Sequence, residues 1–240
     1  MDKSNSITSQ SIFSKEISVI LPVYNNEKNL IELCQQLTDN LRKITENFEI
    51  ILVNDTSTDN SLAVIKQLHS TNKFIRFLHH EKNLGQHHAI LSGINISNGK
   101  YLIVMDADLQ DSPTLTLPLY SKITQGHDAV FVKRQGIYQS LGKMLTSRFL
   151  KSIVYSFTGL SRKAGTFFII KKEIGQLMLN YNCPHPYTSI MAASSTTKLS
   201  YIDGIRQQRI HGESAYSFMK RVRYAYYALE CLFFIKFRNN

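Results

Sequence analysis

Apolar residues along this chain fall into short runs separated by polar, turn-prone segments, and the period within the runs alternates between strand and helix. Ile17 to Pro22 (ISVILP) is a continuous apolar run that predicts a buried strand, which the proline is expected to stop. From Asn26 to Lys43, and on to Ile44, apolar residues recur at Leu30, Leu33, Leu37, Leu41 and Ile44, one face of a 3.6-residue helix. Phe48 to Val53 (FEIILV) predicts a second strand, and Asp55 to Asp59 supplies capping residues for a helix through Leu62, Ile65 and Leu68. A third strand (Phe74–His79), a third helix (Gln86–Ile96) and a fourth strand (Tyr101–Met105, YLIVM) continue the rhythm. Asp111-Ser112-Pro113 then starts a helix to about Thr124, followed by a strand from Asp128 to Val132.

Beyond Val132 the pattern loosens. Tyr138 to Phe157 carries an amphipathic helical pattern, Gly165 to Ile170 a strand, Leu199 to Ile210 two strands turning at Asp203-Gly204, and Ser214 to Leu229 a basic helix. Strands alternating with helices predict an α/β fold with a mostly parallel central sheet covered by helices on both faces. Residues 1–15 are polar and lack the apolar stretch of a signal peptide, so they are expected to form a disordered tail ahead of a single domain over residues 16–240. The longest apolar stretch, Tyr224 to Ile235, is interrupted by Glu230 and falls short of the ~20 residues that cross a bilayer. Two readings of it stay open: a segment lying on a membrane surface, or a helix face packed into the core.

Composition narrows the classes. The chain has 240 residues, 43% of them hydrophobic, enough for a real core and too apolar for disorder. Its three cysteines, Cys34, Cys183 and Cys231, are far apart and suggest neither a disulfide framework nor a zinc site, as expected of a reducing cytosol. The net charge of +10 is unevenly placed: residues 1–128 carry 11 basic and 14 acidic side chains, residues 129–240 carry 17 and 4. The second half is thus the one suited to an anionic partner. No nucleic-acid-binding signature accompanies it, and a nucleic-acid partner is not expected.

Open parallel sheets bind ligands at the carboxyl ends of their strands, and those exits are unusually polar here. Strand one leads into Pro22-Val-Tyr24-Asn-Asn-Glu27, strand two into Asn54-Asp55-Thr-Ser-Thr-Asp59, and strand four into Asp106-Ala-Asp108-Leu-Gln110-Asp111. Two carboxylates at i, i+2 just past a strand, Asp106 and Asp108, can reach one hard divalent cation, and Gln110 can add a neutral oxygen. The same residues also suit an Asp-rich turn that caps the following helix. His79-His80 and His87-His88 match no recognised metal-ligand spacing and are expected to pack locally or lie at the surface.

Together, ISVILPVYNNEKNL, FEIILVNDTSTDNS, HHEKNLGQHHAILSGINISNGKYLIVMDADLQDSP and, more weakly, RIHGESAYSF resemble family 2 inverting glycosyltransferases, in particular the branch of dolichyl-phosphate mannose synthases and bacterial polyprenyl-phosphate sugar transferases. The resemblance implies a Rossmann-like nucleotide-diphospho-sugar transferase fold of the GT-A type. Residues 16–128 would be the nucleotide-sugar-binding half, and residues 129–240 a basic acceptor-binding half. It further implies that Pro22, Tyr24 and Asp55 surround the nucleotide base, that Glu27 binds substrate, that Asn83, Gly85 and Gln86 contact the nucleotide, and that Asp106, Asp108 and Gln110 hold Mg²⁺ or Mn²⁺ on the donor's diphosphate. Tyr24 suits stacking on a base and Asp55 suits accepting from a base N–H.

Three departures from the family pattern change the expected chemistry. Asn25-Asn26-Glu27 shifts the usual acid by one residue, and Asn54-Asp55-Thr56 leaves one acid where two are usual. Arg162-Lys163-Ala164 stands before Gly165-Thr166-Phe167 where related enzymes often carry an Asp, so no general base for a hydroxyl acceptor is visible. A phosphate monoester is already an oxyanion and needs only cations to hold it, for which Lys133, Arg134, Arg148, Arg209 and His211 are candidates, with Ser214 beside them. The expected acceptor is therefore a polyprenyl phosphate, with a saccharide hydroxyl as the alternative; a nucleotidyltransferase and a nucleic-acid-binding module are the rivals from other classes. Arg134 joins Asp106 and Asp108 as an expected catalytic residue. The chain ends at Asn240 without the transmembrane helices that often follow in such transferases, so a cytoplasmic protein is expected that either associates peripherally with the membrane or uses a different acceptor.

Overall fold

The computed structural model describes residues 14–135, 152–207 and 218–237. Most of the expected tail, most of the helix predicted over Tyr138–Phe157, and the candidates Arg148, Arg209, His211 and Ser214 lie outside the described residues. The chain forms β1 (Lys15–Val23), α1 (Glu27–Arg42), β2 (Phe48–Asn54), α2 (Ser61–Thr71), β3 (Ile75–His79), α3 (Gln86–Ile96) and β4 (Gly99–Val104) in the predicted order. A 3₁₀ turn (Pro113–Leu115), α4 (Thr116–Ile123) and β5 (Ala129–Gln135) follow. Residues 152–158 are helical (α5), and β6 (Ala164–Lys171), α6 (Lys172–Asn180), α7 (Thr188–Ser194), β7 (Leu199–Ile205) and α8 (Phe218–Phe237) complete the described chain.

The seven strands make one sheet in the order β3-β2-β1-β4-β6-β5-β7. Strands β3, β2, β1 and β4 run parallel, β6 is antiparallel to both β4 and β5, and β7 is parallel to β5. Both faces are covered. Leu30, Leu33, Leu37 and Leu41 of α1, Ile65 of α2, and Leu119 and Ile123 of α4 pack on one face. Ile90 and Ile94 of α3, Ile174 and Met178 of α6, Ile190 and Met191 of α7, and Ala228, Cys231, Leu232 and Ile235 of α8 pack on the other. Every residue of β2 is buried, which is why its run reads as continuously apolar instead of alternating. The one charge within it, Glu49, accepts from Ser18 Oγ (2.6 Å), Arg76 Nη1 (2.6 Å) and Asn98 N (2.7 Å). Burial alone would raise its pKa, but these donors and the Arg76 charge hold it below the ordinary carboxylate value.

Two sequence expectations are corrected. Pro22 does not stop β1, which pairs on through Pro22↔Val53 and Val23↔Asn54. Ile20 O bonds Met105 N of the β4 chain while Val23 O bonds Asp55 N, so the missing N–H of Pro22 faces the β4 side, where β4 has already ended at Val104. Asp203-Gly204 makes no turn: β7 runs straight through it, pairing Lys133↔Asp203 and Arg134↔Gly204 with β5. A parallel partner in the sheet outweighs the local turn preference. Helices α6 and α7 were not expected from the sequence: α7 is buried at six of its seven residues and shows no polar face, whereas α6 does carry an amphipathic pattern and buries Ile174, Gly175 and Met178 on one face.

Candidate active site

The loops leaving β1, β2 and β4 form one rim at the carboxyl end of the sheet. Each holds one non-glycine residue in the left-handed region: Asn25 (φ 55°), Thr56 (φ 58°) and Leu109 (φ 57°). Such a conformation costs about 1–3 kcal/mol, and persists where surrounding bonds enforce it. Asn25 Oδ1 accepts from Thr58 N (2.8 Å), Asn25 N donates to Ser57 Oγ (3.1 Å), and Thr56 Oγ donates to His80 O (2.9 Å).

On this rim Tyr24 is half exposed, while Pro22 is buried in β1. Glu27 opens α1 and its Oε2 accepts from Asn60 N (2.8 Å), so this carboxylate holds the start of α2. Asp55 is buried and accepts from Leu84 N (2.8 Å) and Gly85 N (2.7 Å), while Asn83 Nδ2 donates to its carbonyl (2.9 Å). Gly85, at φ 90°, turns the chain into α3 in a conformation that a side chain would strain.

The strand-four loop is the centre of the site. Asp106 accepts from Gln86 Nε2 (2.6 Å), from Thr166 Oγ at both oxygens (2.7 and 2.8 Å), and from Arg134 Nη2 (3.2 Å). Arg134 reaches it from β5 by lying across Gly165, where a Cβ would clash with the guanidinium. Its Nη2 also pairs with buried Asp111 at 2.6 Å. Burial works against the charge of Arg134, but the Asp106 and Asp111 carboxylates outweigh it and raise the pKa.

Arg206, just past β7, contributes a second cation. Its Nη2 lies 2.7 Å from Gln110 Oε1, 3.7 Å from Asp108 Oδ2 and 3.9 Å from Asp106 Oδ2. Three oxygens that converge on one cationic nitrogen are able to share a cation, so the donor set suits a hard divalent ion completed by phosphate and water oxygens. Among the described residues no group of three or more His, Cys, Asp or Glu is arranged to hold a metal, so the protein's own share would be these three side chains.

Asp106, Asp108, Gln110, Gln86 and Arg134, all expected from the sequence, therefore meet in one cluster. Thr166, Asp111 and Arg206 join them and were not singled out. Arg206 lies 96 positions from Gln110 along the chain, and only the placement of β7 beside β5 brings it there. Of the expected phosphate-binding cations, Lys133 instead lies over the Tyr201 ring at 4.3 Å. His87, in the first turn of α3, accepts from Thr188 N at Nδ1 (3.3 Å) and packs on the Tyr187 ring (4.5 Å between centroids). Loss of water drives its pKa down to about 4 against the pull of Asp106, so it is neutral at pH 7.

A mostly parallel α/β sheet with an acidic loop after its fourth strand and a glycine-opened helix beside it places a ligand site at the carboxyl ends of the strands. The chain belongs to glycosyl transferase family 2, whose profile matches residues 18–194. It is 32% identical over 224 residues to the undecaprenyl-phosphate 4-deoxy-4-formamido-L-arabinose transferase of Photorhabdus laumondii, covering 91% of this chain and 68% of that protein. The enzyme of the same description from Pectobacterium atrosepticum is 33% identical over 221 residues, with 91% and 68% covered. The chain thus spans about two-thirds of the length of these relatives. Among solved structures, glucosyl-3-phosphoglycerate synthase from Mycobacterium tuberculosis with Mn²⁺ and UDP-glucose matches with a TM-score of 0.63 at 14% identity, covering 92% of this chain and 79% of that one. S. aureus TarS 1–349 with UDP-GlcNAc matches at 0.60 and 20% identity, covering 90% and 66%. The protein is a glycosyltransferase with the fold of these enzymes.

Proposed function

We propose that the protein transfers a sugar, with inversion at the anomeric carbon, from a nucleotide-diphosphate sugar to a polyprenyl phosphate, with Mg²⁺ or Mn²⁺ as cofactor. The observation that carries the donor side is the convergence of Asp106, Asp108 and Gln110 on a single cation position at the sheet's carboxyl end. Asp106, Asp108 and Gln110 would hold the divalent ion, which would supply positive charge to a departing nucleoside diphosphate. Arg134 adds fixed positive charge beside that position, Arg206, whose Nη2 lies there, would yield it to the ion, and the first turn of α3 beyond Gly85 offers backbone N–H groups to a phosphate.

The acceptor side rests on the relatives, which carry undecaprenyl phosphate in their names, and on the chemistry of this cluster. A saccharide hydroxyl must lose a proton as it attacks. The carboxylates of the cluster are engaged instead: Asp106 and Asp111 with Arg134, and Asp108 near Arg206. A phosphate oxyanion attacks without a base, and arginines suit its binding.

A lipid acceptor requires access to a membrane, and α8 offers it. No helix among the described residues is long and apolar enough to cross a bilayer. Tyr226, Phe233 and Phe237 of α8 are exposed on the side away from its buried Ala228, Cys231 and Ile235, with Arg223 and Lys236 exposed nearby. Aromatics flanked by cations suit the headgroup layer, so the protein is read as peripheral on the cytoplasmic membrane face.

The deciding experiment screens nucleotide sugars for release of nucleoside diphosphate, with and without polyprenyl phosphate. Release that depends on lipid phosphate and stops in EDTA is expected. Release of pyrophosphate would make the protein a nucleotidyltransferase, and release driven only by saccharides would move the acceptor to a hydroxyl.

A further inference from the structure

The buried Asp55 carboxylate takes one more donor than the loop it holds. His80, at the exit of β3, places Nδ1 2.9 Å from Asp55 Oδ1 and Nε2 3.0 Å from Ser92 Oγ in α3. Only 9% of His80 and 3% of Asp55 is exposed. The main chain of His80 is pinned as well, since its N–H donates to Asn54 O (3.0 Å) and its carbonyl accepts from Thr56 Oγ (2.9 Å). Asp55 Oδ1 thus accepts from both His80 and Leu84 N, while Oδ2 accepts from Gly85 N and keeps one lone pair. Leu84, held by this carboxylate, and Asn83, held by the Asp55 main-chain carbonyl, are themselves exposed at the rim.

We propose that His80 is a positioning residue for the nucleotide-sugar donor: its Nδ1–H locks the rotation of the Asp55 carboxylate, which in turn holds the Leu84 and Gly85 backbone in its donor-ready form. The proposal rests on the donor reading given above. A loop that enters the complex already ordered loses less entropy on binding, so the lock acts on donor affinity. The chemical step, centred on Asp106 and Asp108, is left alone. Asp55 itself is a poor probe, because its removal strips partners from three buried or half-buried donors at once.

The test compares His80→Ala, His80→Asn and His80→Gln in the full chain, reading amide hydrogen exchange over residues 83–86 and donor KM against kcat. An Asn side chain places its N–H near the Nδ1 position, whereas Gln reaches toward Nε2. His80→Ala is expected to speed loop exchange and raise donor KM about tenfold, with kcat within about threefold, the scale of one charge-assisted hydrogen bond. His80→Asn is expected to restore most of both, and His80→Gln to restore little. Unchanged loop exchange in His80→Ala, equal damage from Asn and Gln, or a fall in kcat at constant KM would overturn the proposal. Should His80→Ala not fold, the Asn-against-Gln comparison decides alone. If the wild type turns over no sugar nucleotide, the donor reading fails, and exchange rates still decide whether His80 sets the loop.

Discussion

Individual side chains here do work that their identity announces and other work that only their neighbours reveal. Asp106 and Asp108 are legible because two acids directly after an apolar strand have few structural uses, and Asp108→Ala is expected to leave a folded protein with turnover reduced at least a hundredfold. Calorimetric titration with Mn²⁺ should show the same variant losing metal affinity; full activity of the variant, or of the wild type in EDTA, would contradict the assignment. His87 was legible only as a histidine. Its environment lowers its pKa from 6.5 to about 4, so the unfolded chain binds the extra proton and the folded chain does not between those values. Stability should therefore fall as pH drops from 6.5 toward 4, by on the order of 1–3 kcal/mol, and His87→Gln should flatten that part of the profile in urea titrations. Glu49, whose folded pKa is depressed, adds a loss only at lower pH, below its ordinary value of 4.5.

At the scale of elements, hydrophobic period located every strand and most helices. It read β2 and the leucine face of α1 correctly because burial on two faces and on one face leave different patterns. It could not decide α8, whose one face is core while the other is exposed and leaves the membrane-surface reading to experiment. Ala228, Cys231, Leu232 and Ile235 are core, while Tyr226, Phe233 and Phe237 are exposed. The exposed side is expected to bind anionic vesicles in co-sedimentation, with release at high salt. Changing Lys220, Arg221 and Arg223 to Glu should abolish that binding, since each cation near an anionic surface contributes about 1 kcal/mol. Tyr226→Ser with Phe233→Ser should weaken it while leaving the fold intact. Equal partitioning onto neutral and anionic vesicles, or none at low salt, would remove the support for a lipid-linked acceptor.

For the whole molecule, the antiparallel β6 between β4 and β5 welds the acidic first half to the basic second half through one continuous sheet. Calorimetry is accordingly expected to show a single unfolding transition, and two transitions would mean that residues 16–128 and 129–240 are separate domains. Saturation at about a hundred times Kd by the matching nucleoside diphosphate with Mn²⁺ should stabilise that unit by ~2.7 kcal/mol, read as a rise in Tm of several degrees. The sequence by itself determined the α/β rhythm, the acidic strand exits and the glycosyltransferase motifs, because buried runs, capping residues and paired acids are local properties of the chain. Tertiary structure decided which cations meet those acids. Arg134 needs the space above Gly165, and Arg206 needs β7 to run straight through Asp203-Gly204 beside β5. Long-range strand pairing is what settles both, and no local pattern encodes it.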